Sequence, residues 1–371
     1  MSIQDISSDI LHLIVKTAAA TAAVSLSTEE FELEPVHIKE LLGVSRIWRA
    51  VAIPIYCSCI TICSIADRKS MYWVRKGLPA AKAHGLNWQG FARRAVVVVS
   101  GRGASAEEIL AELSSLAGIF LRISRVQLHL LAHPESFFGA LEKAFPAMRQ
   151  IKLVAHNAQI FHTRNVPISS LTNICVTACP AFGLSIEPLT NLRVLVLNLL
   201  GSNVGDCLAF ARKHSATLVS LEINYIHVRD CTSVVLDEQG CETVYKQVEI
   251  LKLDVLGAYD HAMLQQRTAP VGNPFPSLKY LNCGSVYPFT NDILLRCAQL
   301  TLAKLVISID ASVVAWLIPE ATSLSRYVRL AAIDAHIVAR ASVYEQQCTA
   351  IHNRILDAAF RLPQLQRLRV R

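Results

Sequence analysis

Leu192-Arg193-Val194-Leu195-Val196-Leu197 and Leu218-Val219-Ser220-Leu221-Glu222-Ile223 decide the fold. Each is a hexad of the form apolar-x-x-apolar-x-apolar. Its last two apolar positions alternate, the period at which a strand turns one face inward. The hexad recurs as Ile123/Val126/Leu128, Met148/Ile151/Leu153, Leu171/Ile174/Val176, Val248/Leu251/Leu253, Leu278/Leu281/Cys283, Leu302/Leu305/Ile307 and Leu365/Leu368/Val370. Middle positions of these nine copies lie 25, 23, 21, 26, 30, 30, 24 and 63 residues apart. The last interval is long enough for two units, with Val328/Leu330 as a degenerate copy inside it. Residues 96–99, and Ile60 with Ile62, read as further strands. Hydrophobic residues make up 52% of the chain, so three apolar matches also arise by chance. The spacing and the lead-ins Phe145-Pro146, Pro188-Leu189, Phe275-Pro276-Ser277 and Leu362-Pro363 lift the hexads above that background.

A lone strand of this kind cannot bury its apolar face, so such units stack on one another. The stretches between hexads fit return helices at 105–116, 136–145, 205–214, 291–300 and 342–360. Ser105-Ala106-Glu107-Glu108 reads as a capping box that opens the first. A Leu-x-x-Leu-x-Leu core at a period of 20 to 30 resembles the leucine-rich repeat. The irregular spacing is similar to the ribonuclease-inhibitor-like form attached to F-boxes in large sets of fungal proteins. The resemblance implies an α/β leucine-rich-repeat solenoid over 57–371, with parallel strands on a concave face and return helices behind them.

Residues 1–56 read as a small helical module. Ser7 or Ser8 can cap a helix carrying Ile10, Leu11, Ile14, Val15 and Ala18. An acidic loop with Glu29, Glu30, Glu32 and Glu34 follows, and Pro35 suits the first turn of a second helix with Ile38, Leu41 and Leu42 on one face. Ser45 can cap a third helix carrying Ile47, Trp48 and Val51, with Pro54 near its end. Three short helices make a weak core alone, so the module needs a partner or a neighbouring domain. Ile6-Ser7-Ser8-Asp9-Ile10-Leu11, followed by Leu41-Leu42-Gly43-Val44-Ser45-Arg46-Ile47-Trp48-Arg49, resembles the F-box. Ser7 stands where that family usually has proline, and the loop between the first two helices is longer. The resemblance implies docking to a Skp1-type linker of a cullin-RING ubiquitin ligase. It makes Ile6, Ile10, Leu11, Ile14, Leu41, Leu42, Val44 and Trp48 the linker contacts or their core supports.

Composition narrows the remaining classes. Charged residues make up only 18%, and apolar surface is ample for a core, which argues against disorder. Mean hydropathy is +0.37. Yet residues 11–26, the most apolar run, carry His12, Lys16, Thr17, Thr21 and Ser25, and a spanning helix needs roughly 20 apolar residues. No membrane span is expected, and Met1-Ser2-Ile3-Gln4-Asp5 lacks the basic start of a signal peptide. The 11 cysteines form no Cys-x-x-Cys, which suits reduced structural thiols in a cytosolic or nuclear protein and no metal site. Net charge is +7 but diffuse, apart from Arg361, Arg367, Arg369 and Arg371, and no aromatic residues interleave with the basic ones. That pattern argues against nucleic acid, although a basic last strand keeps it as a third reading.

No catalytic constellation emerges, so an enzyme, a cofactor and a small-molecule substrate are not expected. Residues 96–105, Val-Val-Val-Val-Ser-Gly-Arg-Gly-Ala-Ser, have the strand–glycine–helix layout of an anion cradle, but no Lys-Ser/Thr follows and the third glycine of a dinucleotide fingerprint is missing. His129 and His133 have no glutamate between them and Pro134 follows. The binding surface is instead read as the strand side chains that alternate away from the core. Gln127, Lys152, Glu222, Asn224, Lys252, Asp254 and Asn282 are the candidates for holding a target protein, since mixed polar character suits a protein better than a phosphate backbone. The expected function is a substrate-recognition adaptor. The alternative is a repeat scaffold with no ligase link, whose N-terminal helices only cap the solenoid.

Overall fold

Every hexad becomes a strand, and within each unit the strands pair in parallel. The structure is a computed structural model that describes residues 45–63, 82–83, 85–99, 113–114, 116, 118–130, 137–155, 170–177, 189–199, 204–256, 272–283, 301–310, 329–338, 349, 352–353, 355–356, 362 and 364–370. The chain divides into two compact units, Met1–Leu171 and Thr172–Arg371. In the first, helix α1 (Arg46–Tyr56) leads into strands β1 (Cys59–Cys63), β2 (Arg94–Val99), β3 (Arg125–Leu130) and β4 (Gln150–Ala155), each parallel to the next. In the second, β5 (Asn173–Thr177), β6 (Val194–Asn198), β7 (Ser220–His227), β8 (Ile250–Leu256), β9 (Tyr280–Cys283), β10 (Lys304–Asp310), β11 (Ala332–Val338) and β12 (Arg367–Val370) pair in chain order, again all parallel. Strand order that follows chain order is what stacked repeats require.

The register confirms the hexad. Val126 faces Ile151, and in the second unit Ile174, Leu195, Leu221, Leu251, Leu281 and Leu305 face one another in succession. Their side chains and the lead residues Ile123, Met148, Leu171, Leu192, Leu218, Val248, Leu278 and Leu302 are all buried. One copy differs from expectation. The degenerate repeat is Leu330/Ile333/Ala335, because Ile333 pairs with Leu305 on one side and Leu368 on the other. Leu330 therefore leads the hexad, and the small Ala335 in the third position hid it from the sequence pattern. Two further copies use small residues in the same way: Ala95 pairs with Ile60, and the lead positions are filled by buried Ala92 and Cys57.

In several repeats a further buried residue lies three or four positions before the lead residue. Phe120, Phe145, Leu189, Tyr245 and Phe275 are buried, and each carbonyl accepts from the N–H three residues on: Ile123, Met148, Leu192, Val248 and Leu278. Leu362 is buried in the same place, and its carbonyl accepts from the N–H of half-buried Leu365. Tyr245 stacks on Phe275 with ring centroids 5.1 Å apart, and its hydroxyl donates to the Val234 carbonyl. His214 fills the corresponding place before Leu218. Its Nε2 accepts from the Leu189 N–H at 2.9 Å and its Nδ1 lies 2.9 Å from the Phe210 carbonyl. The Leu189 donor fixes the tautomer: Nε2 offers its lone pair, so Nδ1 carries the proton and donates.

The strand starts share one backbone device. A single carbonyl accepts from two consecutive N–H groups of the next repeat. Ser58 does so for Arg93 and Arg94, Arg193 for Val219 and Ser220, and Ala331 for Gln366 and Arg367, at 2.8–3.1 Å. Ser124, Thr172, Val219, Glu249, Lys279 and Ala303 do the same for theirs.

Between strands, α3 (Phe137–Ala144) forms within the expected return helix at 136–145, and α4 (Val204–Lys213) matches the one expected at 205–214 but starts one residue earlier; α2 is a single turn, Trp88–Phe91. Helix α4 buries Cys207, Leu208, Phe210 and Ala211, and places Asp206 in its first turn and Arg212 and Lys213 in its last, the charge order that its dipole favours. Between β7 and β8 a 3-10 turn (Val228–Val234) and a short bridge, Leu236 to Glu242, take the place of a helix. The Asp237 carboxylate there accepts from the Gln239 and Cys241 N–H groups. The expected helices at 105–116, 291–300 and 342–360 lie outside the described residues or are described only in part. Among the described residues, no helix is long and apolar enough to cross a membrane.

Leu221→Ala should lower unfolding stability by about 2–5 kcal/mol in urea titration, since it empties a fully buried site. Leu368→Ala, half-buried on β12, should cost about half that or less. Burial lowers the His214 pKa below its ordinary 6.5, so the unfolded chain binds the proton more readily. Stability is then complete above 6.5 and falls as pH drops below it. Thermal melts between about pH 8 and pH 5 should show that decline, and His214→Phe should flatten it.

Candidate functional site

The outward face of the second unit holds a connected polar cluster on β6, β7 and β8. In strands that alternate, Val196, Glu222, Lys252 and Asn282 share one row across the sheet, and Asn198 faces Asn224 in another. The Asn224 Nδ2 donates to Asn198 Oδ1 at 2.7 Å and to Glu222 Oε1 at 2.9 Å. Glu222 Oε2 lies 2.9 Å from Lys252 Nζ. Glu222 is only 7% exposed, and these partners are what allow its carboxylate to be that far from water. Because Asn224 bonds a carboxylate through one terminal atom, that atom is nitrogen, and the amide orientation follows from chemistry.

A bulge sits at the edge of this cluster. Ile223 pairs with Leu253, but the next pair is Ile226 with Val255, so Asn224 and Tyr225 stand together against Asp254. Tyr225 takes φ 64, the left-handed region that costs an L-residue roughly 1–2 kcal/mol. The Asn224 carbonyl accepts from the Leu199 N–H at 2.9 Å, which ties the bulged backbone to the preceding repeat. Among the described residues no hydrogen bond or ion pair reaches Asp254, and burial raises its carboxyl above the ordinary range. On the same face, Ile250 is 36% exposed and Lys304 stands over the Tyr280 ring at 5.1 Å.

The sequence candidates thus fall into distinct groups. Glu222, Asn224 and Lys252 meet in one network, and Asp254 lies beside it. Asn282 is half-buried in the adjacent row, next to Lys252. Gln127 and Lys152 are paired neighbours in the first unit, where Lys152 is 8% exposed. Alternation placed these side chains on the outward face but could not anticipate that Glu222 and Lys152 would be buried there. Sequence reasoning also missed the Tyr225 bulge and the exposed Ile250, because a single inserted residue leaves the hexad pattern untouched.

At the N-terminal end, Ser45 Oγ accepts from the Trp48 N–H at 3.3 Å, the cap expected for α1. Trp48 is half-buried, and no acceptor reaches its buried Nε1 among the described residues. Ile47 is 46% exposed, while Ala52 and the following Cys57 are fully buried. Burial pushes the Cys57 thiol up to about 12, consistent with a packing residue and not a nucleophile. Ile6, Ile10, Leu11, Ile14, Leu41, Leu42 and Val44 lie outside the described residues, as does the glycine turn at 101–103. Among the described residues, no group of His, Cys, Asp or Glu side chains could hold a metal ion.

No protein-family model matches the chain, and no curated protein matches it.

The cluster's energetics can be read by a double-mutant cycle. Glu222→Gln and Lys252→Met should each cost about 1–3 kcal/mol in urea unfolding, and the double variant clearly less than their sum.

Proposed function

We propose that this chain is the substrate-recognition adaptor of a Skp1-cullin-F-box type ubiquitin ligase. On this reading residues 1–56 dock the linker, and 57–371 form a leucine-rich-repeat array that holds the protein to be modified. The chain itself does no chemistry; it raises the effective concentration of target at the ligase. It would work in the cytosol or nucleus. The observation that carries the reading is the junction at residues 45–63. A Ser45-capped helix with the Val-Ser-Arg-x-Trp-Arg pattern runs, within two residues, into the first strand of a one-strand-per-repeat parallel sheet. The exposed Ile47 on that helix leaves apolar surface for a partner.

The same junction supports a second reading, a scaffold with no ligase link. Ala52 on α1 and its C-cap Cys57 are fully buried, as a helix that only caps the repeats would require.

Co-purification separates the two. Full-length chain should retain a Skp1-type linker, residues 57–371 alone should not, and Trp48→Ala should weaken retention about tenfold or more. A soluble, folded full-length chain that leaves the linker behind makes α1 a cap only.

A further inference from the structure

Charges on the outward face of the second unit are unevenly satisfied. Glu222 and Lys252 neutralise each other, and Lys304 is drawn to the Tyr280 ring. Asp254 has no such partner among the described residues. Asn224 commits its Nδ2 twice inside the cluster, and among the described residues no donor reaches its Oδ1. The bulge sets Asn224 and Tyr225 directly against Asp254. The surface there offers acceptors: two carboxylate oxygens and an amide oxygen, with no donor left over from Asn224. Ile250, exposed, lies on the same strand and face four residues earlier, about 13 Å away at strand rise.

We propose that the Asn224–Asp254 bulge receives an arginine or lysine side chain from a segment of the target protein, whose apolar side chain about 13 Å further along rests on Ile250. The inference rests on the reading of the repeat face as the target surface, and is independent of linker docking. A cationic side chain supplies the donors that this site lacks, and its methylene stem suits a half-buried surface. A phosphate backbone is repelled by the same acceptors. A metal ion would find one carboxylate and one amide, too few ligands for a site. Asp254 has already lost part of its hydration, so a docking cation displaces less water from it.

The test uses full-length protein and a positional-scanning library of 12-residue peptides, each fixed at one position as Arg, Lys, Glu or Leu, with a single-stranded RNA oligonucleotide alongside. Wild-type protein should retain Arg- or Lys-fixed peptides about tenfold better than Glu-fixed ones. Asp254→Asn, which keeps the shape, should remove that preference, and Asp254→Lys should reverse it. The inference is overturned if wild-type protein shows no charge preference, prefers Glu-fixed peptides or the RNA, or if Asp254→Asn keeps the wild-type preference. The wild-type measurement decides even if a variant fails to fold. Linker retention by the same proteins separates the two proposals. Arg preference without linker binding removes the ligase reading alone, and linker binding without Arg preference removes this one alone.

Discussion

The fold depends on one repeated backbone contact, the strand-start carbonyl that accepts two N–H groups from the next repeat. It is made by Ser58, Arg93 and Ser124 in one unit, and by Thr172, Arg193, Val219, Glu249, Lys279, Ala303 and Ala331 in the other. No side chain takes part, so serine, arginine, glutamate and alanine serve equally. What it fixes is register. A slip of one residue would turn each hexad's core positions outward, and the doubled contact sets the first pair of every ladder. Side chains then need only be apolar and of workable size. This is why Ala92, Ala95 and Cys57 can stand where leucine stands elsewhere.

That division explains what was legible in the sequence. The strands were legible because burial demands an apolar residue at three fixed positions. Nine hexads met that demand openly. The degenerate copy, read from Val328/Leu330, was misplaced by five residues because Ala335 is too small to register as an anchor, although Ile333 fills its middle position. The aromatic column was visible only as lead-ins such as Phe145-Pro146. Its role as a buried layer, with His214 as its polar member, needed the distances from His214 to Leu189 and Phe210. A buried histidine accepting from a backbone N–H has no sequence signal of its own.

The candidate surface was legible to a lesser degree. Alternation correctly put Glu222, Asn224, Lys252 and Asp254 on one face. It said nothing about which of them satisfy one another, since Glu222 and Lys252 are 30 residues apart in the chain and 2.9 Å apart in space. The bulge at Tyr225 is likewise a matter of how two strands compare, not of either strand alone. A tyrosine at positive φ is tolerated there because the paired strands on both sides and the Leu199 contact leave the backbone little alternative.

The register contact also divides the chain by its tolerance of length. Successive repeats meet at about 4.8 Å across the sheet, whatever separates them in sequence. The return path can be a two-turn helix, as in α3, or a 3-10 turn with a hairpin, as between β7 and β8, and the next carbonyl still finds its two donors. Insertions are thus absorbed between strands, while within a strand a single added residue is felt at once as a bulge, as at Asn224 and Tyr225. The outward face of each unit is consequently a surface written one rung per repeat, in which each rung can be rewritten by substitution with little effect beyond its immediate neighbours.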